Sequence, residues 1–162
     1  GDWSSDVCSS DLMSEKPFMT DFFATCPKGL ETLLAAELTQ LGATTVKETV
    51  AGVAFSGELE TAYRACLWSR LASRVLLSLA SFGVRDDMDL YLGISNISWE
   101  NYFSAQQTLA VDFSGTSPSI RNTQYGALKV KDAIVDRFTK RGGMRPNIDK
   151  REPDVRDRKS VV

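Results

Sequence analysis

The sequence predicts an α+β chain in two lobes, and three observations carry that prediction. Apolar positions switch between helical spacing and strand alternation in the order βαββ and then αβαβα. The 162 residues suffice for one ordinary domain or two small ones, with a globular balance of 43% hydrophobic and 25% charged residues. No apolar run is long enough for a membrane span, the longest being the stretch 75–84.

Each element has its own signal. Residues 21–26 carry the aromatic and small side chains of a short buried strand, closed by Pro27. Leu30, Leu33, Leu34, Leu38 and Leu41 mark one helical face, with Gly42 placed as its C-terminal cap. Residues 44–56 read as two strands around an Ala51-Gly52 turn. Leu59, Ala62, Tyr63, Cys66, Leu67 and Leu71 restore the helical period up to about Arg74, and 75–84 follows as a strand. Residues 86–98 predict a short helix with acidic residues in its first turn, and 108–113 alternate as a strand. A turn cluster at 115–118 leads to a helix over about 124–140, stopped by Gly142-Gly143, and an extended stretch runs from Pro146. The lobes are expected to divide near residues 58–61.

The composition excludes several chemistries. With no histidine, the chain lacks the commonest general base, the Ser-His and Cys-His nucleophile pairs and the usual zinc ligand. Cys8, Cys26 and Cys66 form no C-x-x-C pair, and Cys26 and Cys66 are expected to be small buried residues in a reducing setting. There is no G-x-x-x-x-G-K-[ST] loop and no G-x-G-x-x-G after a strand. Adjacent carboxylates such as Glu58/Glu60 and Asp86/Asp87 point to different faces and make a poor acid/base pair. No metal site, membrane anchor or catalytic residue is expected.

Both ends look foreign. Residues 1–12, GDWSSDVCSSDL, and 157–162, DRKSVV, resemble in-frame translations of short-read sequencing adapters, which leaves a natural segment of about 13–156. The alternative is a floppy polar N-terminus and a basic tail. The whole chain has a net charge of -2, but residues 13–156 sum to zero. That zero is split, with -5 over 13–120 and +5 over 121–156, the asymmetry of a chain that meets a polyanion.

The densest polar constellation lies at the start of the long helix. Arg121, Asn122, Gln124 and Tyr125 stand at its entrance, where free backbone N–H groups favour phosphate. Lys129 lies on the outer arc, and Lys131 falls inside the apolar sector beside Phe138 and Val135. These residue types suit RNA-backbone contact. They equally suit an N-cap at Asn122 or Thr123 with ion pairs such as Asp136–Lys140 on a solvated face. Arg70 and Arg74, four apart, are expected to share a helix face and brace the lobe interface against Asp86 and Asp87, or to grip phosphates. Trp99, Tyr102 and Phe103 are read as core rather than as a base-stacking platform.

Phe23-Ala24-Thr25, Lys28-Gly29-Leu30-Glu31, Trp68-Ser69-Arg70-Leu71-Ala72-Ser73-Arg74, Asp89-Leu90-Tyr91-Leu92-Gly93, Ile120 to Gly126 and Lys129 to Asp136 resemble the start of the bacterial bifunctional 23S rRNA guanine methyltransferase family. The resemblance implies a small ferredoxin-like lobe over 13–60 followed by an incomplete α/β THUMP domain over 61–156. It also implies binding of 23S rRNA in the cytoplasm, with RNA contact favoured for the polar helix. S-adenosylmethionine would serve the intact family protein, whose methyl-donor and catalytic motifs are absent here. This chain alone is therefore expected to need no cofactor and to be inactive. A thiolating tRNA-modifying enzyme with the same module, or an α+β protein-docking domain, are the competing expectations.

Overall fold

The computed structural model describes residues 19–160, so the expectation for residues 1–12 lies outside the described residues, as do 161–162. The backbone divides into two units after Leu79. In the first unit β1 (Thr20–Thr25), α1 (Glu31–Gln40), β2 (Thr45–Thr49), β3 (Gly52–Gly57), α2 (Leu59–Trp68) and β4 (Arg74–Leu77) follow one another. The strands form one antiparallel sheet in the order β2-β3-β1-β4. This is the βαββαβ arrangement of a ferredoxin-like lobe.

Register builds the core of this unit. Phe22 lies opposite Phe55 and Ala24 opposite Val53, so alternation puts all four on one face. Leu34 and Leu38 of α1 and Ala62 and Ala65 of α2 close over them, and the Phe22 and Phe55 rings stack at 5.4 Å. The turn between β2 and β3 places Ala51 at φ 59, a left-handed conformation. The Glu31 carboxylate holds that turn by accepting from the Ala51 N–H at 3.0 Å and the Gly29 N–H at 2.7 Å.

Four expectations change here. The strand expected over 75–84 is only Arg74–Leu77, but it pairs with β1, Arg74 opposite Thr25. It therefore completes the first sheet, and the division moves from 58–61 to Leu79. Arg70 and Arg74 share no helix face, because α2 ends at Trp68. The Ser69 hydroxyl accepts from the Ala72 N–H at 3.0 Å and turns the chain into β4. Arg70 meets Glu37 of its own unit, through its N–H at 3.1 Å and its side chain at 3.9 Å. Cys26 is buried as expected, whereas Cys66 is exposed.

The second unit contains α3 (Asp87–Ser95), a 3₁₀ turn at Trp99–Asn101, β5 (Leu109–Ser114), α4 (Thr123–Gly142) and β6 (Val155–Ser160). β5 and β6 run parallel, which requires a crossover, and α4 supplies it. Val130, Ala133, Ile134 and Phe138 of α4 are buried with Leu90 and Ile94 of α3 and Leu109 of β5. Trp99 is core, its indole N–H donating to the Ile94 carbonyl at 2.8 Å, and Phe103 bridges to Phe138 at a ring separation of 4.9 Å. Gly143, at φ 68, ends α4 in the left-handed conformation that glycine adopts without steric cost.

β6 brings charge into this core. Arg156 and Arg158 are exposed, while the alternating Asp157 is buried. One Asp157 oxygen meets Lys159 Nζ at 3.4 Å and the other has no hydrogen-bond partner among the described residues. Burial pushes the Asp157 carboxyl up, with Lys159 opposing the shift. An acid whose pKa rises on folding favours the folded state when protonated and penalises it when ionised. Asp157→Val is therefore expected to stabilise the chain at pH 7 by about 1–3 kcal/mol in urea unfolding. The gap should close as pH falls from neutral through the raised folded value towards the ordinary carboxylate range. Equal stabilities at pH 7 would show that the buried carboxylate costs nothing.

Candidate nucleic-acid interface

The N-terminus of α4 is capped from within. Asn122 is the N-cap, its side-chain oxygen accepting from the N–H groups of Gln124 at 2.8 Å and Tyr125 at 3.3 Å. Gly126 is buried against Phe113, whose ring leaves no room for a Cβ. Close helix–strand packing thus sets α4 on β5 and fixes which side chains turn outward.

Most of the candidate residues on this stretch have internal partners. The Tyr125 hydroxyl donates to Asp87 Oδ2 at 2.6 Å, and Lys129 Nζ lies 3.4 Å from the same oxygen. Lys129 also stands over the rings of Tyr91 and Tyr125, 5.9 and 6.0 Å from their centroids. The Tyr125 hydroxyl, and then the Lys129 ammonium, hold the Asp87 carboxyl below its ordinary range. Lys131 is half-buried, as its place in the apolar sector predicts, and pairs with Asp132 at 2.8 Å. Asp136 accepts from the Tyr91 hydroxyl at 2.6 Å rather than pairing with Lys140. Arg121 is exposed and donates to the Pro118 carbonyl at 3.3 Å, and the exposed Gln124 side chain makes no hydrogen bond among the described residues.

The other end of α4 differs. Glu100 binds both Nε and Nη2 of Arg137, at 2.9 and 2.8 Å, and also takes Arg141. The Arg137 guanidinium, followed by the Glu100 backbone N–H and supported by Arg141, holds the Glu100 carboxyl down at about 2. Residues 137–151 contain six basic residues and one acid, Asp149. With Arg137 and Arg141 taken, Lys140, Arg145, Lys150 and Arg151 remain exposed, with no carboxylate partner among the described residues. Their backbone is tied to β5: the Leu109 N–H donates to Asn147 and the Asp149 N–H returns to Leu109, at 2.9 and 3.1 Å. Asp149 then caps the N–H groups of Arg151 and Glu152. The sequence shows the +5 balance of this region, but it singles out only Lys140, as an ion-pair partner for Asp136, and none of the other three.

The groups gathered here can bind a phosphate backbone. Among the described residues no three His, Cys, Asp or Glu side chains come together as a metal site, and no helix is long and apolar enough to cross a membrane.

The two units define a ferredoxin-like–THUMP protein: the model of the RlmL ferredoxin-like domain matches residues 21–76 and that of the THUMP domain matches 84–156. Over 138 residues the chain is 67% identical to the ribosomal RNA large subunit methyltransferase K/L of Aeromonas hydrophila, and over the same length 62% identical to that of Aliivibrio salmonicida. The chain is thus similar to the K/L methyltransferases over most of its own length. Each alignment covers 85% of this chain, and the chain spans about a fifth of the relatives' own length, 19% and 20%. Among solved structures, a predicted N6-adenine-specific DNA methylase from Listeria monocytogenes superposes with a TM-score of 0.77 at 23% identity, over 89% of this chain and 38% of that one. TrmN from Thermus thermophilus gives 0.66 at 19% identity over 88% and 42%. At these identities the structures show a shared fold. SMU.472, a further match at TM-score 0.76, 24% identity and coverage of 89% and 39%, is in complex with SAH.

Glu100 provides a test of the second unit. Its carboxyl is depressed on folding, so its stabilisation is complete above about pH 4.5 and is lost as pH falls towards 2. Glu100→Gln is expected to lower the thermal midpoint at pH 7 and to flatten the acid limb between pH 4.5 and 2. An acid limb identical to that of the wild type would remove Glu100 from that role.

Proposed function

We propose that the chain is the RNA-targeting part of an S-adenosylmethionine-dependent 23S rRNA guanine methyltransferase acting in the cytoplasm. The observation that carries this reading is the set of exposed, unpaired cations Lys140, Arg145, Lys150 and Arg151 on a THUMP domain. Backbone contact by such residues gives sequence-independent, salt-dependent affinity and positions the RNA without reading its bases. Arg121 and Gln124, at the far end of α4, are exposed but lie outside this set. Asn122, Tyr125, Lys129 and Lys131 are engaged internally in the free protein. The relatives named as rRNA methyltransferases favour this reading over a thiolating enzyme.

The sequence contains no Gly-rich loop between a strand and a helix that would cradle S-adenosylmethionine. The methyl donor is assigned instead to the four-fifths of the relatives' length that this chain does not span. The buried charge of Asp157, one residue past the end of the THUMP match, supports reading residues 157–162 as foreign to the domain.

The test is fluorescence anisotropy with a labelled 23S rRNA fragment. The triple variant Lys140→Glu, Arg145→Glu, Lys150→Glu is expected to weaken binding at least tenfold at low salt. The slope of log K against log salt should become shallower by about three, roughly one per lost phosphate contact. Binding indifferent to salt and to these reversals would overturn the proposal, and methyl transfer by this chain alone would overturn its assignment as a targeting part.

A further inference from the structure

Two donors, Tyr125 and Lys129, line the outer side of α4's first two turns, and an acid of this same unit already occupies both. Tyr125 and Lys129 converge on a single oxygen, Asp87 Oδ2, at 2.6 and 3.4 Å. Lys131 is taken by Asp132. A phosphodiester oxygen makes the same demands as that carboxylate oxygen: one negative charge, one O–H donor and one ammonium. The site is also pre-shaped, because the ammonium lies 5.9 and 6.0 Å from the Tyr91 and Tyr125 ring centroids and Asp136 fixes the Tyr91 hydroxyl. It is open to a ligand, since the Asp87 side chain is 42% exposed and that of Lys129 is 26% exposed.

We infer that Asp87 is an internal stand-in for an RNA phosphate. Its carboxylate closes the N-terminal half of α4 to the RNA backbone and directs the RNA to the cationic run at the other end. This rests on the RNA-binding reading above and adds a specificity-determining residue to it. With Asp86 as the N-cap of α3 and Asp89, itself paired with Arg85 at 3.3 Å, in its first turn, Asp87 makes the N-terminal side of the helix repel a polyanion while Lys140 to Arg151 attract one. RNA is thereby oriented along α4 by charge before any base is read. The role belongs to the carboxylate charge, since an amide in its place keeps the shape and an acceptor for Tyr125.

The experiment titrates the 162-residue chain and its Asp87→Asn variant with the labelled 23S rRNA fragment at two salt concentrations. Asp87→Asn is expected to bind about five- to tenfold tighter at low salt, with a salt slope steeper by about one. Adding Lys129→Gln to Asp87→Asn should remove the gain, because the released cation is the group that captures the phosphate. Asp87→Ser should shift affinity in the same direction should the amide disturb α3. If the wild type binds with salt dependence and neither Asp87 variant binds tighter, the inference fails and the RNA reading stands. A tighter variant that keeps its gain without Lys129 also overturns the inference. If neither wild type nor variant binds with salt dependence, the RNA reading falls and the inference with it.

Discussion

The burial of Val130, Ala133, Ile134 and Phe138 fixes the rotation of α4, and that rotation decides the fate of every charge on the helix. The stripe seats α4 against β5, where Gly126 lets the Phe113 ring approach more closely than a side chain would allow. Once it is seated, Tyr125 and Lys129 face α3 and meet its first-turn carboxylate, and Arg137 faces the 3₁₀ turn and meets Glu100. Lys140 falls beyond both acids. A single packing constraint thus sorts one helix into a neutralised half and a cationic end.

Much of this was legible in the sequence wherever the signal was local. The leucine spacing of α1, the Ala51-Gly52 turn, the Asn122 cap and the glycine stop of α4 all depend on neighbours within a few residues, and the structure has each of them. The boundary at Leu79 was not legible, because it follows from β4 pairing with β1 some fifty positions earlier. The internal pairing of Tyr125, Lys129 and Arg137 escaped for the same reason. Their acids, Asp87 and Glu100, lie 37 to 42 residues away, and periodicity carries no information about them. The helical period taken through Leu71 overran α2 because Ser69 to Ser73 has apolar residues at plausible positions. A serine turn, which helical spacing cannot reveal, ended it.

β6 shows what a strand position demands. The ladder bonds are made by the backbone, and β6 pairs with β5 in register from Val155 opposite Leu109 to Ser160 opposite Ser114. Alternation then sends Asp157 inward, where Lys159 answers one of its two oxygens and the other has no partner among the described residues. Lys159 itself lies over the Trp99 ring at 5.3 Å, so a cation takes up part of the core surface that an apolar side chain would fill. The mismatch begins at 157, immediately after the residues that match the THUMP domain.

The unpaired cations gain from where their backbone is held. Arg145, Lys150 and Arg151 lie outside regular elements, and loops ordinarily lose entropy on binding a charged ligand. Here Gly143 sets the exit from α4, Pro146 is fully buried, and residues 147 and 149 bond to the backbone of Leu109. The charges therefore stand on a backbone pinned to the sheet, and only their side chains need ordering when a phosphate arrives. That arrangement suits a module whose work is to place an RNA for chemistry carried out elsewhere. Under the proposed function such an array would position the RNA, and the selection of a base would be left to other residues.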